Sequence, residues 1–317
     1  MSAPIFYISA EEYETLTPGA SFELDGPEGK HALVKRMEVG ESIDLGDGTG
    51  RRAVGTVHSL TDRGVIVHVE QLREEHTSPS IYLVQALAKD GRDLLAIETA
   101  TELGVYGVLP WSADRSIVRW KGERASKAHT KWQNTVTAAA KQSRRALIPE
   151  VYDLYSTADL VELIEEVAGS EQSRRALIPE VYDLYSTADL VELIEEVAGS
   201  EQSRRALIPE VYDLYSTADL VELIEEVAGS EQSAAVFILH EQATERLSAL
   251  ARKLVEAENL PEEIYLLVGP EGGISDREVQ LFTEAGAHLA LLGDEVLRSS
   301  TAGSAAMCTL NVVLGRW

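Results

Sequence analysis

Residues 263–273 read Glu263-Ile264-Tyr265-Leu266-Leu267-Val268-Gly269-Pro270-Glu271-Gly272-Gly273, and Ser275-Asp276 follow closely. The first six are almost unbroken apolar, strand-prone sequence, the next five are turn chemistry, and Ser275 suits the cap of a helix. A strand apolar on both faces belongs inside a parallel sheet covered by helices on each side, because a half-exposed strand would alternate. The same rhythm recurs around it. Residues 235–240 predict a strand, 244–257 a helix, 276–285 a helix and 289–292 a strand; upstream, a strand over 81–87 leads to a helix over 91–103, stopped by Gly104, and a strand over 105–109. Strands alternating with amphipathic helices predict an α/β domain over residues 80–317. The uncharged stretch 299–315 is rich in Ser, Thr and Gly and just short of a bilayer span, so it reads as a buried helix.

Ligands in such sheets bind beyond the carboxyl ends of the strands. Three strand ends carry suggestive turns: Gly269 to Gly273 after Val268, Gly293-Asp294-Glu295-Val296-Leu297-Arg298 after Leu292, and His240-Glu241 after Leu239. Glycine lets a backbone approach a ligand closely, yet each turn taken alone is equally an ordinary turn. No Lys follows the glycines and no G-x-G-x-x-G spacing occurs, which argues against P-loop and Rossmann dinucleotide chemistry.

Residues 1–73 have a different texture. Short apolar runs at 21–24, 42–45 and 64–69 are broken by turn signals such as Gly46-Asp47-Gly48-Thr49-Gly50, predicting a small β-barrel. Residues 31–36 look like a short helix presenting Lys35 and Arg36. Barrels of this kind bind RNA, or carry lysines that only solubilise them; the residues leave both open.

Between the α/β segments lies a repeat without drift. Residues 142–171 recur letter for letter at 172–201 and 202–231. Solenoid repeats share a pattern and differ in detail, so identity speaks for recent duplication, construction or an assembly error. Each copy offers an extended piece and then a helix, capped by Ser156 or Thr157 in the first copy, with Leu160, Ile164 and Val167 on one face. Without two copies the chain would have the length of an ordinary two-domain enzyme. Either the first copy's extended piece is seated together with the last helix, about residues 218–228, or the first copy's own helix docks and the later copies loop out.

The 317 residues are 44% hydrophobic and carry a net charge of −25, which excludes disordered, collagenous and membrane classes. Against that acidity, residues 111–145 hold nine cations and two acids. Such segregation suits a phosphate-contacting surface, or a basic helix that pairs with the acidic repeats. One cysteine allows no disulfide framework, and seven scattered histidines show no ligand spacing, so no metal is expected. The N-terminus meets Glu11 and Glu12 before any basic or apolar leader region, and a cytoplasmic location is expected.

These stretches together resemble the bacterial ribosomal RNA small subunit methyltransferase E family, the 16S rRNA uridine-N3 methyltransferases of the SPOUT superfamily. The resemblance is carried by residues 268–273, by 292–298 with Thr301-Ala302, and by 98–105 and 115–118; residues 140–151 and 31–36 add to it. It implies a PUA-like N-terminal β-barrel and a C-terminal SPOUT α/β domain with a trefoil knot, used as a homodimer without membrane or metal. It also implies S-adenosylmethionine in the knot, held largely by backbone groups. The matching positions are Leu239, His240, Val268, Gly269, Glu271, Gly272, Leu292, Gly293, Val296, Leu297 and Thr301.

Uracil N3 carries a proton and is a poor nucleophile, so methylation there requires that proton to leave while N3 is held in line with the donor. A guanidinium near a uracil oxygen would stabilise the developing anion, and Arg298 is the candidate, a structural salt bridge being its other role. His240 and Glu271 are possible bases or loop-stabilising groups. Lys35, Arg36, Arg115, Arg119, Lys121, Arg144 and Arg145 would hold the 16S rRNA backbone in the small ribosomal subunit. Two rival readings are a non-catalytic RNA-binding protein of this fold and a scaffold built on the repeats.

Overall fold

The computed structural model describes residues 3–168, 234–256 and 260–317. The N-terminal part holds β1 (Ile5–Tyr7), α1 (Ala10–Glu14), β2 (Ser21–Leu24), α2 (Gly26–Val34), β3 (Ser42–Gly46), β4 (Arg51–Leu60) and β5 (Val65–Glu74). Its five strands form one sheet in the order β1-β3-β4-β5-β2 around a core that includes Phe6, Ile43, Leu45, Val57 and Val67. Register shifts between β4 and β5 at Val54/Gly55 and Val57/Ser59 are the bulges that let such a sheet curl. A side chain at Gly55 would stand 2.4 Å from the His68 carbonyl oxygen, so this bulge needs glycine.

The helix expected over 31–36 differs in extent. Asp25 and Pro27 start α2 five residues earlier, Lys35 caps its end, and Arg36 lies beyond it with φ 57°. The two cations therefore project from a turn. Strand β4, with a glycine and polar residues among its apolar ones, was not singled out by pattern.

The rest is β6 (Ser80–Ala86), α3 (Arg92–Glu102), β7 (Gly107–Trp111), α4 (Glu123–Gln142), β8 (Glu150–Val151), α5 (Thr157–Ala168), β9 (Ala234–Leu239), α6 (Leu247–Glu256), β10 (Glu263–Val268), α7 (Asp276–Glu284), β11 (His288–Ala290) and α8 (Ser299–Val313). Six strands in the order β11-β9-β10-β6-β7-β8 pair in parallel throughout. One face is covered by α3, α4, α6 and α8, through Ile97, Trp132, Leu247 and Met307. The other is covered by α5 and α7, through Leu160, Ile164 and Phe282. Among the described residues no helix is long and apolar enough to cross a membrane.

The first repeat copy fastens the two parts together. The Tyr7 hydroxyl donates to the Arg145 carbonyl at 2.7 Å, Arg52 donates to the Arg144 carbonyl at 2.8 Å, and the Ile148 amide donates to the Gly48 carbonyl at 2.9 Å. Just before the copy, Lys141 pairs with Glu28 at 2.5 Å. Burial at this junction pushes the Tyr7 hydroxyl up to about 12.

The same copy then supplies β8 and α5. Ser156 caps α5 reciprocally with Asp159, and Leu160 and Ile164 are 0% and 2% exposed. The first copy's own helix therefore docks. The alternative seated helix at 218–228, and the second and third copies, lie outside the described residues.

Ile164→Ala is expected to cost about 2–5 kcal/mol as a core truncation, seen as a lower urea midpoint at unchanged slope. The same residue stands at Ile194 and Ile224. A loss below about 0.5 kcal/mol would mean that another copy can take the seat.

Candidate functional site

At the carboxyl edge of the parallel sheet, β9, β10 and β11 end side by side, and the loops that follow them enclose a cleft of about 600 Å³. The turn after β10 is tight. Gly273 adopts φ 71° and its amide donates to the Pro270 carbonyl at 2.9 Å. A Cβ at Gly269 would lie 2.6 Å from the Ile274 side chain.

Neighbouring segments brace this turn. The Arg115 guanidinium donates to the Gly272 and Ile274 carbonyls, each at 3.2 Å. Glu271 accepts from the Lys89 amide and from Arg92, each at 3.1 Å, tying it to the loop before α3.

The other two loops are laced to each other. The His240 amide donates to the Ala290 carbonyl at 3.1 Å, while Leu291 exchanges amide bonds of 2.8 Å with Glu245 and Leu247. Arg246 pairs with Asp294 at 2.9 Å. The segment closes at α8, where Arg298 is the N-cap and its carbonyl accepts the Thr301 amide at 2.8 Å and the Ala302 amide at 3.0 Å. Helix α8 approaches the sheet closely at Gly303, where a Cβ would stand 3.0 Å from Leu83.

Leu239, His240, Val268, Gly269, Glu271, Gly272, Leu292, Gly293, Val296 and Leu297 all line this one cleft, together with Arg298. Thr301 does not line it; it lies exposed in the first turn of α8. Arg92, which sequence reasoning missed, does line it. Its signal was its place at the start of the helix after β6, which is also a strand end of the sheet.

The expected RNA cations separate into groups. Lys35, Arg36 and Lys121 are exposed. Arg119 spends its guanidinium on the Ala113 and Asp114 carbonyls, at 2.8 and 3.1 Å, and Arg115 braces the glycine turn. Arg144 offers its carbonyl to the domain junction. Arg145 corrects the expectation: its guanidinium donates to the Thr101 carbonyl at 2.8 Å, and burial lowers its pKa to about 10, so it serves the junction. Near Lys35, burial and the cations Lys141 and Lys35 lower the pKa of His31, marking a cationic corner.

The cleft's histidine, His240, accepts the Gln242 amide at its Nδ1, 3.2 Å away. Among the described residues no group of three or more His, Cys, Asp or Glu is placed to hold a metal. The arrangement is a concave pocket whose lining includes Arg92, Arg115 and Arg298, suited to holding a polar small molecule.

A family model described as an RNA methyltransferase domain matches residues 75–169 and 196–311, and one described as an RNA methyltransferase PUA domain matches residues 24–70. The proteins named ribosomal RNA small subunit methyltransferase E of Mycobacterium bovis and Mycobacterium tuberculosis are each 34% identical to this chain, over 100% of it and 94% of their own length. The crystal structure of ribosomal RNA small subunit methyltransferase E from Neisseria gonorrhoeae, bound to S-adenosyl methionine, has the same fold, with a TM-score of 0.64 at 21% identity over 98% of each chain.

Gly269→Ala should destabilise the chain by about 1–3 kcal/mol, because the new methyl must displace Ile274. Urea unfolding checks this; an unchanged midpoint would show that the turn adapts freely.

Proposed function

This chain belongs to the ribosomal RNA small subunit methyltransferase E family, and on that premise we propose that it methylates N3 of one uridine in the 16S rRNA of the small ribosomal subunit, with S-adenosylmethionine as donor. The observation that carries the reading is the convergence of the three strand-end loops on one cleft. The residues present fit such a donor. Gly269 and Gly272 leave room where a Cβ would meet Ile274 at 2.6 Å and Arg115 at 3.1 Å, which keeps the turn slim and its backbone available. When bound, S-adenosylmethionine supplies a methyl group on an electrophilic sulfonium.

The chain's own work is then to bind, orient and stabilise charge. Arg298, exposed and lining the cleft, would donate to a uracil oxygen as negative charge develops there. Glu271 is committed to Arg92 and the Lys89 amide, so it holds the turn in shape. Of the pair His240 and Glu271, that leaves His240 as the candidate proton acceptor.

We assign RNA backbone contact to Lys35, Arg36 and Lys121, with Arg115 and Arg119 acting through the loops they brace. The proposal includes a PUA-like unit over residues 1–73, a SPOUT unit over 80–317 closed by a trefoil knot, a homodimer and a cytoplasmic location.

Incubation with labelled S-adenosylmethionine and unmethylated small subunits, followed by mapping, should place the label on N3 of one 16S uridine. Label elsewhere, or none, overturns the proposal. Arg298→Ala should lower kcat by about a hundredfold while the KM for S-adenosylmethionine changes little; equal turnover removes Arg298 from the mechanism. RNA affinity should fall steeply with added salt and less steeply in Lys35→Ala/Arg36→Ala, whereas a flat response contradicts the phosphate contacts.

A further inference from the structure

Glu278 lies in the first turn of α7 with 0% exposure, and its carboxylate is met from three segments of the chain. Oε1 accepts the Asp114 amide at 2.7 Å and the Thr157 hydroxyl at 2.9 Å. Oε2 lies 2.9 Å from both the amide nitrogen and the hydroxyl of Ser275. An ionised carboxylate has about four acceptor positions, and these contacts use them, the single Ser275 hydroxyl proton being shared with Asp114 Oδ2 at 3.0 Å. A carboxylate is tolerated so deep in a protein only when it is satisfied in this way, and the positive end of α7 adds to the effect.

Helix capping alone does not explain the arrangement. Helix α1 carries the same Ser-x-x-Glu box, in which exposed Glu12 meets the Ser9 amide at 2.8 Å and the Ser9 hydroxyl at 2.9 Å. Glu278 repeats that pattern with one oxygen and uses the other to reach two distant segments.

Two of the three segments bear directly on the cleft, and the third is the repeat. Ser275 ends the glycine turn after β10. Asp114 precedes Arg115, whose guanidinium holds the Gly272 and Ile274 carbonyls. Thr157 opens α5, the helix of the first repeat copy. We propose that Glu278 is a positioning residue for the donor-binding turn, coupling its geometry to the seating of the first repeat copy. This rests on the S-adenosylmethionine reading. Glu278 touches no ligand itself. It raises the fraction of molecules whose turn is already in the gripping shape, and apparent affinity falls in proportion to that fraction.

The test is calorimetric titration of the full chain with S-adenosylmethionine, paired with steady-state kinetics, well below the unfolding temperature. Glu278→Ala should weaken donor binding by about tenfold, the loss expected for charge-assisted hydrogen bonds, while the KM for RNA stays within about twofold. Glu278→Gln, which keeps one acceptor oxygen, should fall between. Thr157→Val, made together with Thr187→Val and Thr217→Val so that no copy supplies the hydroxyl, should weaken donor binding by about threefold.

If Glu278→Ala does not fold, the glutamine and valine variants decide. Folded variants with unaltered donor affinity and only a lower Tm would give Glu278 a structural role alone and overturn the inference. No heat from the unaltered protein would instead overturn the methyl-donor reading, and this inference with it.

Discussion

Parallel strands lose their ladder partners together at their carboxyl ends, and the site depends on that constraint. Because β9, β10 and β11 are neighbours in register, with Leu239 opposite Ala290 and Ile238 opposite Leu267, their outgoing loops emerge beside one another. Main-chain groups at such an edge need partners that the sheet no longer provides. Here the loops meet some of these needs themselves, as between Leu291 and Leu247, and residues of all three loops line one cleft. A pocket formed by strand-end loops follows from the topology. Side chains such as Arg115 and Glu271 then keep the loops from relaxing out of shape.

The parts legible in the sequence are those set by local chemistry. Strand β10 occupies the residues its apolar run marks, because Pro261 and Gly269 punctuate both ends. The Ser-x-x-Glu start of α7 and the αL glycine after α3 are equally local signals. Strand β7 sits two residues downstream of its expected place, since the buried environment accepts Pro110 and Trp111 at its end. What pattern could not show is long-range pairing. Arg145 reads as one more surface cation until its carbonyl partner on Thr101 is seen, and no local signal joins Glu278 to Thr157, 121 positions away. The loops that line the cleft are legible because the strand-end rule points to them. The division of the cations between bracing and exposed roles was not.

The repeat is less peripheral than its redundancy suggests. Its first copy carries the junction carbonyls, an edge strand and a helix covering one face of the sheet, so the two parts of the protein are joined through it. Truncation at the end of α4 would remove a structural element, not an appendage. Identity among the copies means that the contacts seen for the first are, by sequence, open to the others. The seat therefore links an unusual feature of this chain to the chemistry of its cleft.

The central claim is that main-chain groups of the strand-end loops grip S-adenosylmethionine. Amide resonances followed during titration of the intact chain with that molecule test it most directly. Saturable shifts confined to residues 240–242, 269–273 and 293–299 are the predicted result. Unperturbed amides in all three loops, with the protein folded, would contradict it.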